Sequence, residues 1–337
     1  MRQGAAPLAL AGLPLAFLLV VLVAPAVRLV AEGWPTDGHS LQALWAPWQD
    51  DYLRWRMVWS FLQALLTCAA ALVLGLPLAW VLARLEFRGR SLVLRALMLP
   101  FVVPTLVAAL GVLALMGPHG ALVQLGGPDL QGTAWLLLYG NLFFNLCVVV
   151  RAGTDALEQV SASRLAAART LGASPWRAFW RVEWPAIAPW LMSALCLVFL
   201  YCFAGFGLAL VLGGQRYATV EVEIYTLVAH ELQLGQAGVL ALWMLMLTAL
   251  VAWGYAAIER QLATPGRADR QPRQRPQGAG HWLLLVVALG VFMLICALPL
   301  FAIAWKAIIS GAFFSGDEHA AWRVLLEEDT RMALWNT

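Results

Sequence analysis

Seven stretches of the chain carry almost no charge and are long enough to cross a membrane: Leu8 to Ala31, Val58 to Ala83, Leu92 to Met116, Thr133 to Val150, Trp190 to Leu212, Val239 to Ile258 and Trp282 to Ile308. About 20 mostly apolar residues suffice, since a helix rises about 1.5 Å per residue across a hydrocarbon layer of about 30 Å. An eighth stretch opens near Met332 and runs to the last residue, Thr337. Backbone groups inside a bilayer must satisfy one another, so apolar blocks of this length predict helices and an all-α, polytopic membrane bundle.

One polar segment between the blocks has a pattern of its own. Ser161 to Pro189, SASRLAAARTLGASPWRAFWRVEWPAIAP, predicts two short helices broken at a glycine. Leu165 to Leu171 is alanine-rich, Gly172 fits the left-handed residue that closes a helix, and Ser174 with Pro175 is an N-cap and first-turn proline. Pro185 is expected to end the second helix. On a membrane protein, such a hairpin suits a groove on a soluble partner, because small residues let its backbone approach closely.

Composition agrees: 62% of residues are hydrophobic and 12% charged, outside the range of soluble domains. Arginines are retained on the cytoplasmic side of a membrane. They gather at Arg84, Arg88, Arg90 and Arg95, at Arg151, Arg164, Arg169, Arg177 and Arg181, and in a linker at Arg260, Arg267, Arg270, Arg273 and Arg275. These segments alternate with acidic ones: Glu32, Asp37, Asp50 and Asp51; Asp129; Glu221, Glu223 and Glu231; and Asp317, Glu318, Glu327, Glu328 and Asp329. The expectation is an inner-membrane protein with its N-terminus and the hairpin in the cytoplasm. The linker reads as a topology signal and solvated connector, not a nucleic-acid site. Ala24-Pro25-Ala26 resembles a signal cleavage site, but the long apolar run and the proline favour an uncleaved anchor.

Candidate catalytic chemistry is sparse. Lys306 is the only lysine, so the sequence has no G-x4-G-K-[ST] phosphate loop and cannot be its own ATPase of that type. His39, His119, His230, His281 and His319 fall in loops or at span ends, without a zinc or haem pattern. Cys68, Cys147, Cys196, Cys202 and Cys296 lie in apolar spans as packing residues. Neither a resident metal nor a cofactor is expected. A transport subunit driven by another chain fits best, with a membrane-embedded enzyme or an assembly protein as the alternatives from other classes.

Ala166-Ala167-Ala168, then Gly172, then Val182, Trp184 and Pro185 match the spacing of the "EAA" loop of bacterial ABC importer permeases, E-A-A-x3-G-x9-I-x-L-P. Ala166 stands where that family usually has glutamate and Trp184 where it usually has leucine. Trp48 to Leu53, Phe61 to Ala64, Phe143 to Asn145, Phe179 to Pro185 and Thr219 to Tyr225 resemble the thiamine (thiamine pyrophosphate) importer permeases, with ferric-iron permeases sharing the plan. The resemblance implies a type I, MetI-like bundle and three partners: a dimeric ABC ATPase that carries ATP and magnesium, a periplasmic substrate-binding protein and a second permease module. It also implies that Leu165, Ala166, Ala167, Ala168, Leu171, Gly172, Arg177 and Pro185 couple to the ATPase.

The implied domains are an anchor and outer loop at 1–57, a permease module at 58–260 containing the loop 161–189, a basic linker at 261–280 and the start of a second module at 281–337. Ala297-Leu298-Pro299-Leu300 repeats the character of Val23-Ala24-Pro25-Ala26, as a duplication would. The expectation is therefore a truncated chain that needs another permease chain to transport.

Residues for the substrate path are less marked. Asn141 and Asn145 share a helix face, either lining the path or gluing helices together. Tyr201, Phe203 and Phe206 offer aromatic faces to a cation or simply pack. Gly205 and Gly207 allow a bend or close packing. Glu221 and Glu223 precede Ile224 to Val228, a run too short to span, and would attract a cation or touch the binding protein from an outer helix. Trp34, Trp45 and Trp48 suit an interfacial anchor.

Overall fold

The computed structural model describes residues 40–262, 272–309 and 328–335, with scattered positions between 12 and 31. The expected first span, Leu8 to Ala31, and the acidic segment 310–327 lie largely or wholly outside the described residues.

A short helix α1 (Ser40–Gln49) leads into α2 (Asp51–Arg84), which Asp50 caps by accepting from the amides of Tyr52 at 2.8 Å and Leu53 at 3.0 Å. Then come α3 (Arg90–Ala96), α4 (Leu99–Val102), α5 (Thr105–Met116), α6 (Ala121–Gln124) and α7 (Ala134–Glu158). The hairpin is α8 (Ala162–Thr170) and α9 (Pro175–Ala178), followed through a π-helical turn (Phe179–Glu183) by α10 (Trp184–Phe203). The remainder is α11 (Phe206–Leu212), α12 (Val220–Ala229), α13 (Leu234–Leu262), α14 (Gly278–Phe292), a second π turn (Met293–Ala297), α15 (Leu298–Ile309) and α16 (Glu328–Trp335). Six helical stretches among the described residues are long and apolar enough to span a membrane.

The core is built on α2. Its buried positions Leu53, Met57, Ser60, Ala64, Thr67, Ala71, Gly75, Leu78 and Leu82 advance by threes and fours, so they form one face of the helix. That face packs along α7 and α10, and α10 in turn packs on α13. A Cβ at Gly153 of α7 would sit 2.9 Å from the Ala79 Cβ, so the two axes come together only because small residues meet there.

Three expected boundaries move. The stretch Leu92 to Met116 is three helices, because Pro100 and Pro104 interrupt the amide ladder that hydropathy alone runs through. The stretch Trp190 to Leu212 breaks at Ala204 and Gly205, and its span begins earlier, at Pro175. Pro185 does not end a helix but sits in the first turn of α10, two residues after a π turn.

Pro299 repeats this arrangement two residues after the second π turn. A proline lacks an N–H and its ring clashes with the carbonyl four residues back, and the wider π turn accommodates that carbonyl. In the second case the Leu298 amide bonds to the Met293 carbonyl and the next nitrogen is proline's. The Leu294 carbonyl is thereby left for the Tyr139 hydroxyl, which donates to it at 2.6 Å.

The last described span, α14 to α15, packs on α2 and α5. Gly111 makes room for it, since a Cβ there would lie 2.6 Å from Ile303. The described end of the linker before that span, from residue 272, is tied down. Gln274 pairs with the end of α2 through Glu86 N to Gln274 O and Gln274 N to Arg84 O, both 2.9 Å. Arg273 reaches Glu158 at 2.9 Å and Glu86 at 3.6 Å, and Arg90 also meets Glu158 at 2.9 Å.

Candidate functional site

The hairpin closes as its local chemistry predicts. Ser161 and Ser174 each accept from the amide three residues on, at 3.4 Å. Gly172 has φ +79°, and the amides of Gly172 and Ala173 bond at 3.0 Å to the carbonyls of Arg169 and Ala168. That is a Schellman closure, which needs a residue without a Cβ at its left-handed position.

The outer face presents Ala166, Ala167, Leu171 and Arg177, with Leu171 88% exposed and Trp176 69% exposed. Ala168 is half-buried, whereas Leu165 is buried and points into the molecule. Leu165 therefore seats the hairpin on its own protein. The hairpin also has a rigid root: Trp176, Trp180 and Trp184 follow one another at centroid separations of 5.6 and 5.3 Å. Glu183 accepts a hydrogen bond from Arg84, both side chains being buried.

The opposite end of α2 holds a second buried pair. Arg56 Nε lies 3.2 Å from Glu223 Oε2, and the Tyr52 hydroxyl donates to the same carboxylate oxygen at 2.8 Å. Glu223 is thus neutralised by the fold and is not a free outer acid. Nearby, irregular chain from Arg216 to Thr219, leading into α12 at Val220, lies along α2. The Trp55 and Trp59 indoles donate to Arg216 O and Tyr217 O at 3.0 and 2.8 Å, and Val220 N donates to Ser60 Oγ at 2.8 Å. These bonds satisfy backbone groups that have no helical partner.

Between the two ends Gln63 donates to the Cys202 carbonyl and accepts from Asn141 Nδ2, each at 2.7 Å, while Asn145 Nδ2 bonds within α7 to Asn141 O at 2.9 Å and across to Cys202 Sγ of α10 at 3.3 Å. Asn141 and Asn145 are therefore helix glue: this network supplies a donor to a carbonyl freed by the end of α10. Phe203 is also interior, stacked on Phe199 at 5.5 Å. Tyr201 is half-exposed beside Phe101, 6.0 Å away.

Glu221 and Phe206 come together instead at an open-sided chamber of about 610 Å³, several of whose lining residues are exposed. Glu221, Ile224, Tyr225 and Val228 line it from one stripe of α12; Ala241, Met244, Leu245 and Thr248 line it from one stripe of α13. Ala204 and Phe206 contribute from the α10–α11 break, and Phe206 and Tyr225 meet edge to face at 5.3 Å. Burial pushes the Glu221 carboxyl up to about 7. Sequence reasoning missed Arg56, Gln63, Arg84 and Glu183. Gln63, a polar side chain inside an apolar run, was the one visible signal.

Residues 71–264 match the family described as binding-protein-dependent transport system inner membrane component. The chain is 32% identical over 295 residues to the thiamine transport system permease protein ThiP of Escherichia coli (strain K12), covering 83% of this chain and 53% of that protein. It is 30% identical to ThiP of Brucella abortus (strain 2308), covering 93% and 59%. The chain spans about half the length of these relatives. It is also 33% identical to the molybdenum transport system permease protein ModB of Azotobacter vinelandii, covering 58% of this chain and 90% of that protein. In fold it is similar to a chain of a bacterial alginate ABC transporter solved with an alginate-bound periplasmic protein, with a TM-score of 0.64 at 15% identity over 79% of this chain and 97% of that one.

Proposed function

We propose a function from the premise that this chain belongs to the binding-protein-dependent transport system inner membrane components, the multi-pass permeases of ABC importers. As one permease module, at 58–260, it moves thiamine or its phosphates inward. A partner ATPase hydrolyses ATP with magnesium, a periplasmic protein delivers cargo, and a second permease module completes the path. The N-terminus and hairpin face the cytoplasm.

The observation that carries this reading is the hairpin: an exposed Leu171 and Trp176 on a Schellman-closed turn, rooted through Glu183 and Arg84 in the longest span. An ATPase that pulls on this hairpin pulls on α2, and only contacts that differ between two states can shift the balance between them. The similarity to thiamine permeases supports the cargo. When ionised, Glu221 favours a cargo that bears a cationic ring over a simple oxyanion such as molybdate. Ferric iron is the second cationic cargo, but three oxygen-bearing side chains in the chamber fall short of the six or so oxygens a hard cation takes.

Reconstitution with the ATPase, the binding protein and a second permease chain tests the proposal. ATPase stimulation by thiamine-loaded binding protein, absent with iron or molybdate and abolished by Gly172→Pro, is expected. Stimulation by iron alone overturns the cargo, and indifference to Gly172→Pro overturns the coupling hairpin.

A further inference from the structure

The chamber's walls carry a more specific message than its volume. Its size, about 610 Å³, falls within the ordinary range for a small-molecule site, about 300 to 1,000 Å³. Among the described residues Glu221 is the only charged one lining it, and no described side chain pairs with that carboxylate. Two positions on, Glu223 is matched by Arg56, so the fold neutralises one acid of α12 and leaves the other facing a largely apolar space.

We propose that the chamber binds an organic cation with an aromatic or alkylated face, held by the Glu221 carboxylate, the rings of Tyr225 and Phe206, and the Thr248 hydroxyl. Aromatic rings attract cations lying within about 6 Å of their centroids, and a carboxylate removed from water gains most from a partner that is itself weakly hydrated. A bare metal ion finds too few oxygens here. An anion meets Glu221, and a sugar meets walls with only a few hydrogen-bonding groups. The site is held in place from outside, because Ser60 receives the Val220 amide and fixes the start of α12 against α2. That the occupant is cargo rests on the importer reading; its charge and shape rest on the chamber alone.

The test is calorimetric binding of two cations, thiamine and benzyltrimethylammonium, to the whole chain in nanodiscs at pH 8, with benzyl alcohol and molybdate as neutral and anionic probes. Both cations are expected to bind and the other two probes are not. Glu221→Gln should weaken cation binding about tenfold or more and Tyr225→Leu several-fold, while Glu231→Gln, an acid outside the chamber, changes nothing. Should Glu221→Gln fail to fold, the wild-type protein serves: lowering the pH to 5.5 should weaken binding about tenfold.

His230 packs against Tyr225 at 5.5 Å, and histidine ordinarily changes charge in this range. The pH comparison is therefore repeated in His230→Gln, where the loss should persist. Binding of both cations that ignores Glu221→Gln, Tyr225→Leu and pH overturns the site, as does absence of cation binding at millimolar concentration. Glu221-dependent binding of benzyltrimethylammonium without thiamine keeps the site and overturns the thiamine cargo. Thiamine binding indifferent to Glu221 keeps the cargo and overturns the site.

Discussion

Arg84, the last residue of the longest helix, donates a buried hydrogen bond to Glu183, which lies 99 positions later at the root of the hairpin. Removing one partner leaves an uncompensated buried charge, which costs about 3–5 kcal/mol, whereas replacing both with apolar residues is often nearly neutral. Arg84→Met and Glu183→Met should each lower the melting temperature in detergent, and the double variant should recover most of it. Coupling separates from stability in this set: the double variant should still lose cargo-stimulated ATPase activity in the reconstituted importer.

Gly172 holds a left-handed backbone at φ +79° with nothing within 4 Å of an added Cβ, so a substitution there meets strain and not a clash. Gly172→Val should cost about 1–2 kcal/mol locally and open the Schellman closure. Copurification of the ATPase should fall, while the melting temperature of the membrane bundle should hardly move.

Gln63 serves two buried partners, Cys202 O and Asn141 Nδ2. Gln63→Leu strands both at about 1–3 kcal/mol each. Adding Asn141→Leu removes one of the stranded groups, so thermal unfolding should show the double variant to be less damaged than the sum of the single ones.

The Glu221 carboxyl rises from its ordinary 4.5 to about 7 through burial. The folded protein holds that proton over a range where the unfolded chain has lost it, so Glu221 lowers stability as pH rises from about 4.5 to about 7. Its charge is partly solvated, which keeps the effect modest. The melting temperature of Glu221→Gln minus that of the wild type should grow between pH 5 and pH 8, and a flat difference would show that the carboxyl is not perturbed.

What the sequence made legible was local. Ser161, Gly172, Ser174 and Pro175 determine their own neighbourhood within a few residues, and the hairpin closes as they predict. The existence of the six described spans was equally readable, because hydropathy sums over many positions. Span edges were not: Pro100 and Pro104 were in view, yet the apolar run between Leu92 and Met116 outweighed them. Pro185 misled because the meaning of a proline depends on the turn before it, and no single residue type announces a π turn. Arg56 with Glu223, and Arg84 with Glu183, were invisible as pairs because partners so distant in sequence meet only once the helices have packed.

The π turn from Phe179 to Glu183 also puts the hairpin and its span out of phase. A hydrogen bond closing five residues back instead of four accommodates one residue more than an α-helix would, about 100° of rotation. Phe179 consequently touches Trp184, five positions on, at 6.4 Å, while Trp180 touches the same ring at 5.3 Å. Helical periodicity counted straight through from Pro175 to Phe203 assigns one half of that stretch to the wrong face. A hairpin transplanted to another permease needs all five residues of the turn, because deleting one swings Leu171 and Trp176 about a quarter-turn away from whatever they were meant to meet.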